Sequence, residues 1–428
     1  MAEDRQYLYQ LIMSQLENDG YIGAASVLEE ATLTPKDPNI PPSHLETLVQ
    51  IGMASERETG GGAEALGYHR EDWYDGMTKE VQGIDFDQEK KEGKKATIRT
   101  NYHTRFIATH KFACRCAAFS PDGRYSATGS QDTSIKLLDV SKIKDAQVNR
   151  LEEEDGNTNV RAVIRTFYGH TQSVNDLDFH PSRPLLASAS RDCTIKFFDL
   201  QSSNKRAKRD LKDSHNVRSV KFHPSGEYLL AGTEHTFLHL YCCQTQQCYV
   251  ARQQSGHHQK AINQVNINAD GQIFASCSKD GTVKLWDGRN LTCTSTLEKA
   301  HEGREVYSIQ FSKNDKYLLT GGQDCVARLW DLRVGRQLTC YSHSMMGGMS
   351  VSKIRSQVTF SYDETQVIVP DENIIGALVF DTITHEVTQK LFGHSQALRA
   401  IVTAPSDPHI ITCSEDSRAR FWVDENQR

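Results

Sequence analysis

Residues 278–287 read SKDGTVKLWD, and close variants of that phrase return four times along the chain. They are SQDTSIKLLD (130–139), SRDCTIKFFD (190–199), GQDCVARLWD (322–331) and SEDSRARFWV (414–423). Five copies of a ten-residue phrase argue against a reactive site and for a structural unit stacked many times. A chain of 428 residues is too long for one ordinary compact core, and a repeat architecture resolves this by giving each unit its own share of core.

The unit itself follows from the turns. Seven turn signals recur: SPDG (120–123), HPSRP (180–184), HPSG (223–226), NADG (268–271), SKND (312–315), SYDE (361–364) and APSDP (404–408). A short alternating run such as VNDLDF or VYSIQF precedes each turn, and a run such as YLLAG or YLLTGG follows. Two alternating runs joined by turn residues are a hairpin, to which the decapeptide adds a tight turn and a third strand. His110 and Asp132, His170 and Asp192, His258 and Asp280, and His394 and Asp416 each stand 22 residues apart, and His301 and Asp324 stand 23 apart. A second Asp follows seven residues after the first at Asp139, Asp199, Asp287 and Asp331. A period of roughly 40–45 residues that opens on Gly-His and closes on Trp-Asp is the signature of a WD-repeat β-propeller. Two repeats are degraded. The third, TEHTFLHLY, has no Asp at the turn, and the sixth, PDENIIGALVFD, has altered spacing. The expected fold is an all-β, seven-bladed WD-repeat propeller over residues 97–428, preceded by a small all-α domain.

Only six residues follow Trp422, so the last blade lacks an outer strand of its own. RTNYHTRFIAT (99–109) has the length and pattern to supply it and leave no free sheet edge. Ahead of the propeller, residues 1–54 carry helical periodicity: Leu8, Leu11, Ile12 and Leu16, then Tyr21, Ala25 and Leu28, with a break at Asp19-Gly20. A third short helix fits 43–53, with Ser43 as its N-cap. Three short helices bury too little apolar surface to be comfortable alone. A second copy of the same segment is the simplest cover, with docking on the rest of the chain as the alternative. Residues 55–96, with GGG and EKKEGKK, read as a flexible linker.

Chemistry of the enzymatic kind is not expected. Within the decapeptide the Asp accepts backbone N–H bonds in its turn, and the matching His donates to that carboxylate. A Ser or Thr and the indoles of Trp286, Trp330 and Trp422 extend the chain of hydrogen bonds. A catalytic Ser-His-Asp site would need one copy to stand apart, and none does. No metal or cofactor is expected: the cysteines lack zinc spacing, and a GxxxxGK[ST] loop is missing. The formal net charge of −6 argues against a surface that tracks a phosphate backbone. No apolar run of about 18 residues suggests a membrane span. The acidic start, MAEDRQYLYQ, does not resemble a secretory signal, and eleven scattered cysteines suit a reducing compartment. One basic run, Lys205, Arg206, Lys208 and Arg209, reads either as a solvated loop or as a nuclear import signal.

LYQLIMSQLENDGYIGAASVL near the start, GIDFD at 83–87, the Asp-less FHPSGEYLLAGTEHTFLHLY at 222–241, and LEKAHEGREV at 297–306 together resemble the WD-repeat subunits of cleavage stimulation factor. IFASCSKDGTVKLWDG, YLLTGGQDCVARLW and CSEDSRARFW continue the resemblance in order. It implies a nuclear, non-enzymatic scaffold subunit acting in pre-mRNA 3′-end cleavage and polyadenylation. It also implies a homodimer through the N-terminal helices and a propeller bound to the helical-repeat scaffold subunit of the same complex. Contacts with the RNA polymerase II tail and a BRCA1-associated RING protein are implied as well, with RNA read by another subunit. The dimer seam would be Leu8, Leu11, Ile12, Leu16, Tyr21, Ala25 and Leu28.

Two other classes are weighed. LWDGR (285–289) and LWDLR (329–333) fit the W-D-x-R pattern of propellers that serve cullin-RING ubiquitin ligases as substrate receptors. A Lis-homology segment before WD repeats also describes dynein regulators and transcriptional corepressors. A dynein regulator would show a heptad coiled coil after its first helices, and residues 54–96 carry none.

Overall fold

The structure is a computed structural model, described here for residues 100–145, 162–251, 256–342 and 354–424. The expected helices of 1–54, their dimer seam and the linker of 55–96 lie outside those residues. The boundary at residue 97 does too.

Seven antiparallel sheets of four strands each make seven blades. Blade 1 is Cys114–Phe119, Tyr125–Ser130, Ile135–Asp139 and Val163–Phe167, from the axis outwards. Blades 2 to 6 open on inner strands Val174–Phe179, Val217–Phe222, Ile262–Ile267, Val306–Phe311 and Thr359–Phe360. Blade 7 has the inner strand Leu398–Thr403, followed by His409–Ser414 and Arg418–Asp424. Its outermost strand is Tyr102–Thr109, from the other end of the propeller sequence. Tyr102 pairs with Asp424, Phe106 with Phe421 and Thr109 with Arg418, so the ring closes as its sequence pattern predicts. The sheet count also agrees with the count of seven turn signals.

The core is divided accordingly. Seven separate apolar clusters each lie between two neighbouring blades. Cys116, Ile135, Phe167, Val174, Leu186 and Phe198 fill the gap between blades 1 and 2. Tyr102, Val379, Leu398, Ile410 and Trp422 fill the gap between blades 6 and 7. The second strand of each blade therefore buries both of its faces, as the continuous buried run of Tyr317–Gly322 shows, whereas outer strands such as Cys248–Val250 are exposed.

Inner strands of neighbouring blades face one another around the axis without forming a ladder, and polar side chains bridge them. Asp176 and Asp178 accept the backbone N–H of Val220 (3.0 Å) and Phe222 (2.7 Å). Gln264 accepts from Ile309 (2.8 Å) and Gln310 from Phe360 (3.0 Å). Asn175 and Asn263 donate to the carbonyls of Val217 and Val306, each at 2.7 Å. These bonds satisfy backbone groups that would otherwise be buried and unpaired along the axis. Among the described residues no helix is long and apolar enough to cross a membrane.

Candidate interaction platform

In blades 1, 2, 4, 5 and 7 the turn between second and third strands forces one residue into left-handed backbone. Thr133 (φ 69°), Cys193 (φ 63°), Gly281 (φ 82°), Cys325 (φ 58°) and Ser417 (φ 66°) all hold it. Only one of the five is glycine, so side-chain hydrogen bonds must hold the other four in a conformation that costs them. The Asp just before each supplies those bonds. Asp192 accepts from the N–H of Thr194 (3.0 Å), the Thr194 hydroxyl (2.5 Å), the N–H of Thr171 (3.0 Å) and His170 Nδ1 (2.8 Å).

The same construction recurs. His258 Nδ1 lies 3.0 Å from Asp280, His301 Nδ1 2.8 Å from Asp324, and His394 Nδ1 2.8 Å from Asp416. The other ring nitrogen of each reaches a buried hydroxyl: Ser276 at 2.7 Å, Thr320 at 2.9 Å and Thr412 at 2.8 Å. The indoles of Trp286, Trp330 and Trp422 donate to those same hydroxyls at 2.8, 2.9 and 2.8 Å. A tight turn at the blade's edge is thereby tied to its third strand by a continuous chain Asp–His–Ser/Thr–Trp. Blade 2 stops at Ser188, because Phe198 stands where blades 4, 5 and 7 have Trp. Blade 1 is looser: His110 Nδ1 is 3.5 Å from Asp132 and bonds Ser134 at 3.2 Å instead. The second Asp of the repeat caps the following turn, as when Asp199 accepts the N–H of Gln201 at 2.9 Å.

The third blade uses a different network. Asp213 stands in the usual His position and His235 in the usual Asp position, and the two do not pair. Asp213 instead accepts from His239 Nδ1 (2.7 Å) and the Tyr241 hydroxyl (2.5 Å), Tyr241 occupying the Trp position. The missing turn Asp was visible in the sequence, but this replacement was not.

These carboxylates and imidazoles set the protein's pH response. Burial opposes ionisation of Asp132, Asp192 and Asp280, but the adjacent imidazoles of His110, His170 and His258 and the hydrogen bonds from their turns outweigh it. They hold all three well below the ordinary value of 3.8. Burial keeps His258 and His409 below the ordinary 6.5. His110 goes the other way: burial disfavours its cation, yet the Asp132 carboxylate 3.5 Å away lifts it to about 9. His110 therefore adds stability that is full below pH 6.5 and fades as pH rises through about 9. His258 and His409 cost stability as pH falls below 6.5, since the unfolded chain protonates first. The aspartates' contribution is present above pH 3.8 and is lost further down. The urea midpoint should thus peak near pH 6.5–7 and decline on both sides, falling most steeply below pH 4. A midpoint still rising from pH 6 to pH 4.5 would contradict these assignments.

Around the networks lie the surfaces. Phe112, Tyr168 and Phe392 are more than half exposed in the loops that carry His110, His170 and His394, at three consecutive blade junctions. The opposite end of the channel opens into a cavity of about 600 Å³ lined by Asp176, Asp178, Lys221, Gln264 and Lys313. Lys205, Arg206, Lys208 and Arg209 are all exposed beside the outer strand of blade 2. Lys208 pairs with Asp199 at 3.1 Å, and with Arg209 it lines a 330 Å³ groove between blades 2 and 3. Arg333, the W-D-x-R arginine, lies against Asp331 of its own blade, Nη2 to Oδ2 at 3.0 Å. Among the described residues, no group of three or more His, Cys, Asp or Glu side chains is placed to hold a metal ion.

Comparison with known proteins gives this platform its family. The WD domain, G-beta repeat, matches residues 101–139, 161–199, 208–241, 249–287, 291–331 and 385–423. The unmatched stretch contains most of the sixth sheet, whose inner strand has shrunk to Thr359–Phe360. The "Cleavage stimulation factor subunit 1, dimerisation domain" matches residues 2–57. The chain is 38% identical to "Cleavage stimulation factor subunit 50" of Arabidopsis thaliana over 417 residues, 96% of this chain and 94% of that one. Similarity to "Nuclear distribution protein PAC1" of Arthroderma otae is lower, 26% over 74% of this chain and 60% of that one. "Pre-mRNA-processing factor 19" of Oryza sativa subsp. japonica is 27% identical over 52% of this chain and 37% of that one. With 38% identity along nearly its whole length and the dimerisation segment ahead of its WD repeats, the chain belongs to the cleavage stimulation factor subunit 50 family.

Proposed function

We propose that this protein is a non-enzymatic scaffold subunit of a cleavage stimulation factor, acting in the nucleus in pre-mRNA 3′-end cleavage and polyadenylation. The observation that carries the reading is the near full-length relationship to a subunit of that name, which covers the N-terminal segment and the propeller together. In this reading the seam Leu8, Leu11, Ile12, Leu16, Tyr21, Ala25 and Leu28 joins two copies. Each copy presents one propeller, so a repetitive or dimeric partner meets two platforms at once. The propeller holds the helical-repeat scaffold subunit of the complex and also contacts the RNA polymerase II tail and a BRCA1-associated RING protein. RNA sequence is read by another subunit, in keeping with the net charge of −6. The exposed Lys205, Arg206, Lys208 and Arg209 serve as the import signal. The near full-length relationship to a cleavage stimulation factor subunit favours this reading over the ligase-receptor alternative.

Two measurements test the reading. Extract depleted of cleavage stimulation factor should regain 3′-end cleavage only when the other subunits are added back together with this chain. Equal cleavage without it would remove the functional assignment. Light scattering should report a dimer that Leu16→Asp converts to a monomer, since a buried carboxylate on an apolar seam costs several kcal/mol. An unchanged dimer would overturn the seam.

A further inference from the structure

The inner strands of six blades share one irregularity. Their pairing with the second strand slips between Cys114 and Cys116, Val174 and Asp176, Val217 and Ser219, Ile262 and Gln264, Val306 and Ser308, and Leu398 and Ala400. The residue left over in each bulge is Arg115, Asn175, Arg218, Asn263, Tyr307 or Arg399. A bulge frees its residue from the ladder and re-aims the side chain. Repeated around the ring, it sets six side chains at the same level, at the end of the channel away from the 600 Å³ cavity. In blade 6, Arg355 stands just ahead of the shortened inner strand and donates to the carbonyl of Asn263, two blades away. It therefore reaches across the axis.

Four guanidinium groups thus gather at one mouth. Arg218 is answered by Glu234 and Asn263, each at 2.8 Å, and Arg399 by Glu415, its Nε at 3.0 Å. For Arg115 the bond to Asn175 is long, 3.4 Å. The Nε atoms of Arg115 and Arg218 are buried with no hydrogen-bond partner among the described residues. Burial and the nearby Arg218 and Arg399 pull Arg355 down to about 10, with the Asp176 and Cys277 side chains opposing. Arg115 is likewise lowered by burial and by the field of Arg399. An arrangement of like charges with open donors is costly when empty, and an anion relieves that cost.

We propose that this mouth binds one anionic side chain, a phosphate monoester or a carboxylate, presented by an extended peptide of another protein, with Arg115 and Arg355 as its principal contacts. Guanidinium forks suit both anions through paired N–H bonds. A peptide fits better than RNA because Glu234 and Glu415 rim the ring, and Glu305 and Glu372 act on Tyr307 beside it. Those carboxylates disfavour a phosphate backbone lying across the mouth while tolerating a single central anion. The exposed Phe112, Tyr168 and Phe392 offer apolar contacts for residues flanking it. The proposal stands apart from the cleavage-factor reading, since it rests only on the bulge pattern and the charges it gathers.

The test uses the full chain, immobilised, with peptide libraries of degenerate flanks around a fixed central phosphoserine, glutamate or serine. Either charged library should be retained at least tenfold over the serine library, and the stronger of the two identifies the anion. Enriched peptides should lose at least tenfold in affinity in both Arg115→Gln and Arg355→Gln, and their binding should weaken with salt. Melting curves accompany each variant; if Arg355→Gln does not fold, the more accessible Arg115→Gln decides alone. Equal retention of all three libraries, or undiminished binding by folded Arg115→Gln, would overturn the proposal. So would displacement of the enriched peptide by a single-stranded RNA oligonucleotide that binds more tightly and depends on the same arginines.

Discussion

A Phe106→Asp variant is expected to unfold about 4 kcal/mol more easily than the native chain, and to aggregate on mild heating. Phe106 is 8% exposed, pairs across the ladder with Phe421, and belongs to the apolar cluster that joins blade 7 to blade 1. That cluster also contains Ala108, Cys114, Leu138, Ile143 and Ile411, so a carboxylate there is stranded among side chains that cannot solvate it. The consequence goes beyond one residue, because Tyr102–Thr109 is the strand that closes the ring. Once it detaches, Arg418–Asp424 becomes a free edge that can pair with another molecule. Thr109→Ala, on an exposed position of the same strand, should stay within about 0.5 kcal/mol of native. Urea denaturation of both variants checks this. A Phe106→Asp protein as stable as Thr109→Ala would mean that the closing strand is dispensable.

The second large effect is at Asp280. Its carboxylate accepts four hydrogen bonds: from His258, from the N–H of Gln259 at 2.9 Å, and from the N–H and hydroxyl of Thr282 at 2.9 and 2.6 Å. Asp280→Ala leaves His258 and the Gly281 turn without their acceptor, and the chain through Ser276 to Trp286 loses its anchor. A loss of about 3 kcal/mol is expected, since the buried donors remain after the acceptor is gone. Asp280→Asn keeps one acceptor oxygen and should fall between the two. If Asp280→Ala melted like the native protein while partner binding vanished, the network would be a binding site and its structural reading wrong.

The repeat phrase reveals the fold because its residues are the ones the blade geometry cannot do without. The Asp holds a left-handed turn, the His sits at fixed distance along the chain, and the Trp closes the hydrogen-bond chain. Where those types are present, sequence spacing predicts contact, as with His301 and Asp324 despite one extra residue between them. Blade 1 keeps the spacing but not the close pairing: His110 lies 3.2 Å from Ser134 and 3.5 Å from Asp132. Blade 3 hides its solution, since Asp213 and Tyr241 take the His and Trp positions with other residue types, and His239, which joins them, stands at no motif position. The ring of bulged residues was equally hidden. Arg115, Arg218 and Arg399 follow apolar residues in ordinary-looking strands, and only the pairing slip reveals that they share a level. Arg355 lies in the blade whose spacing departs most from the repeat, so no motif position pointed to it.

The most direct test of the scaffold account is capture of partners from nuclear extract with the full chain as bait, read by mass spectrometry, beside its Leu16→Asp variant. The account predicts that the native chain recovers the helical-repeat scaffold of cleavage stimulation factor and its RNA-binding companion, with lower recovery by the variant as avidity is lost. Recovery of a cullin adaptor in their place, abolished by Arg333→Ala, would contradict it.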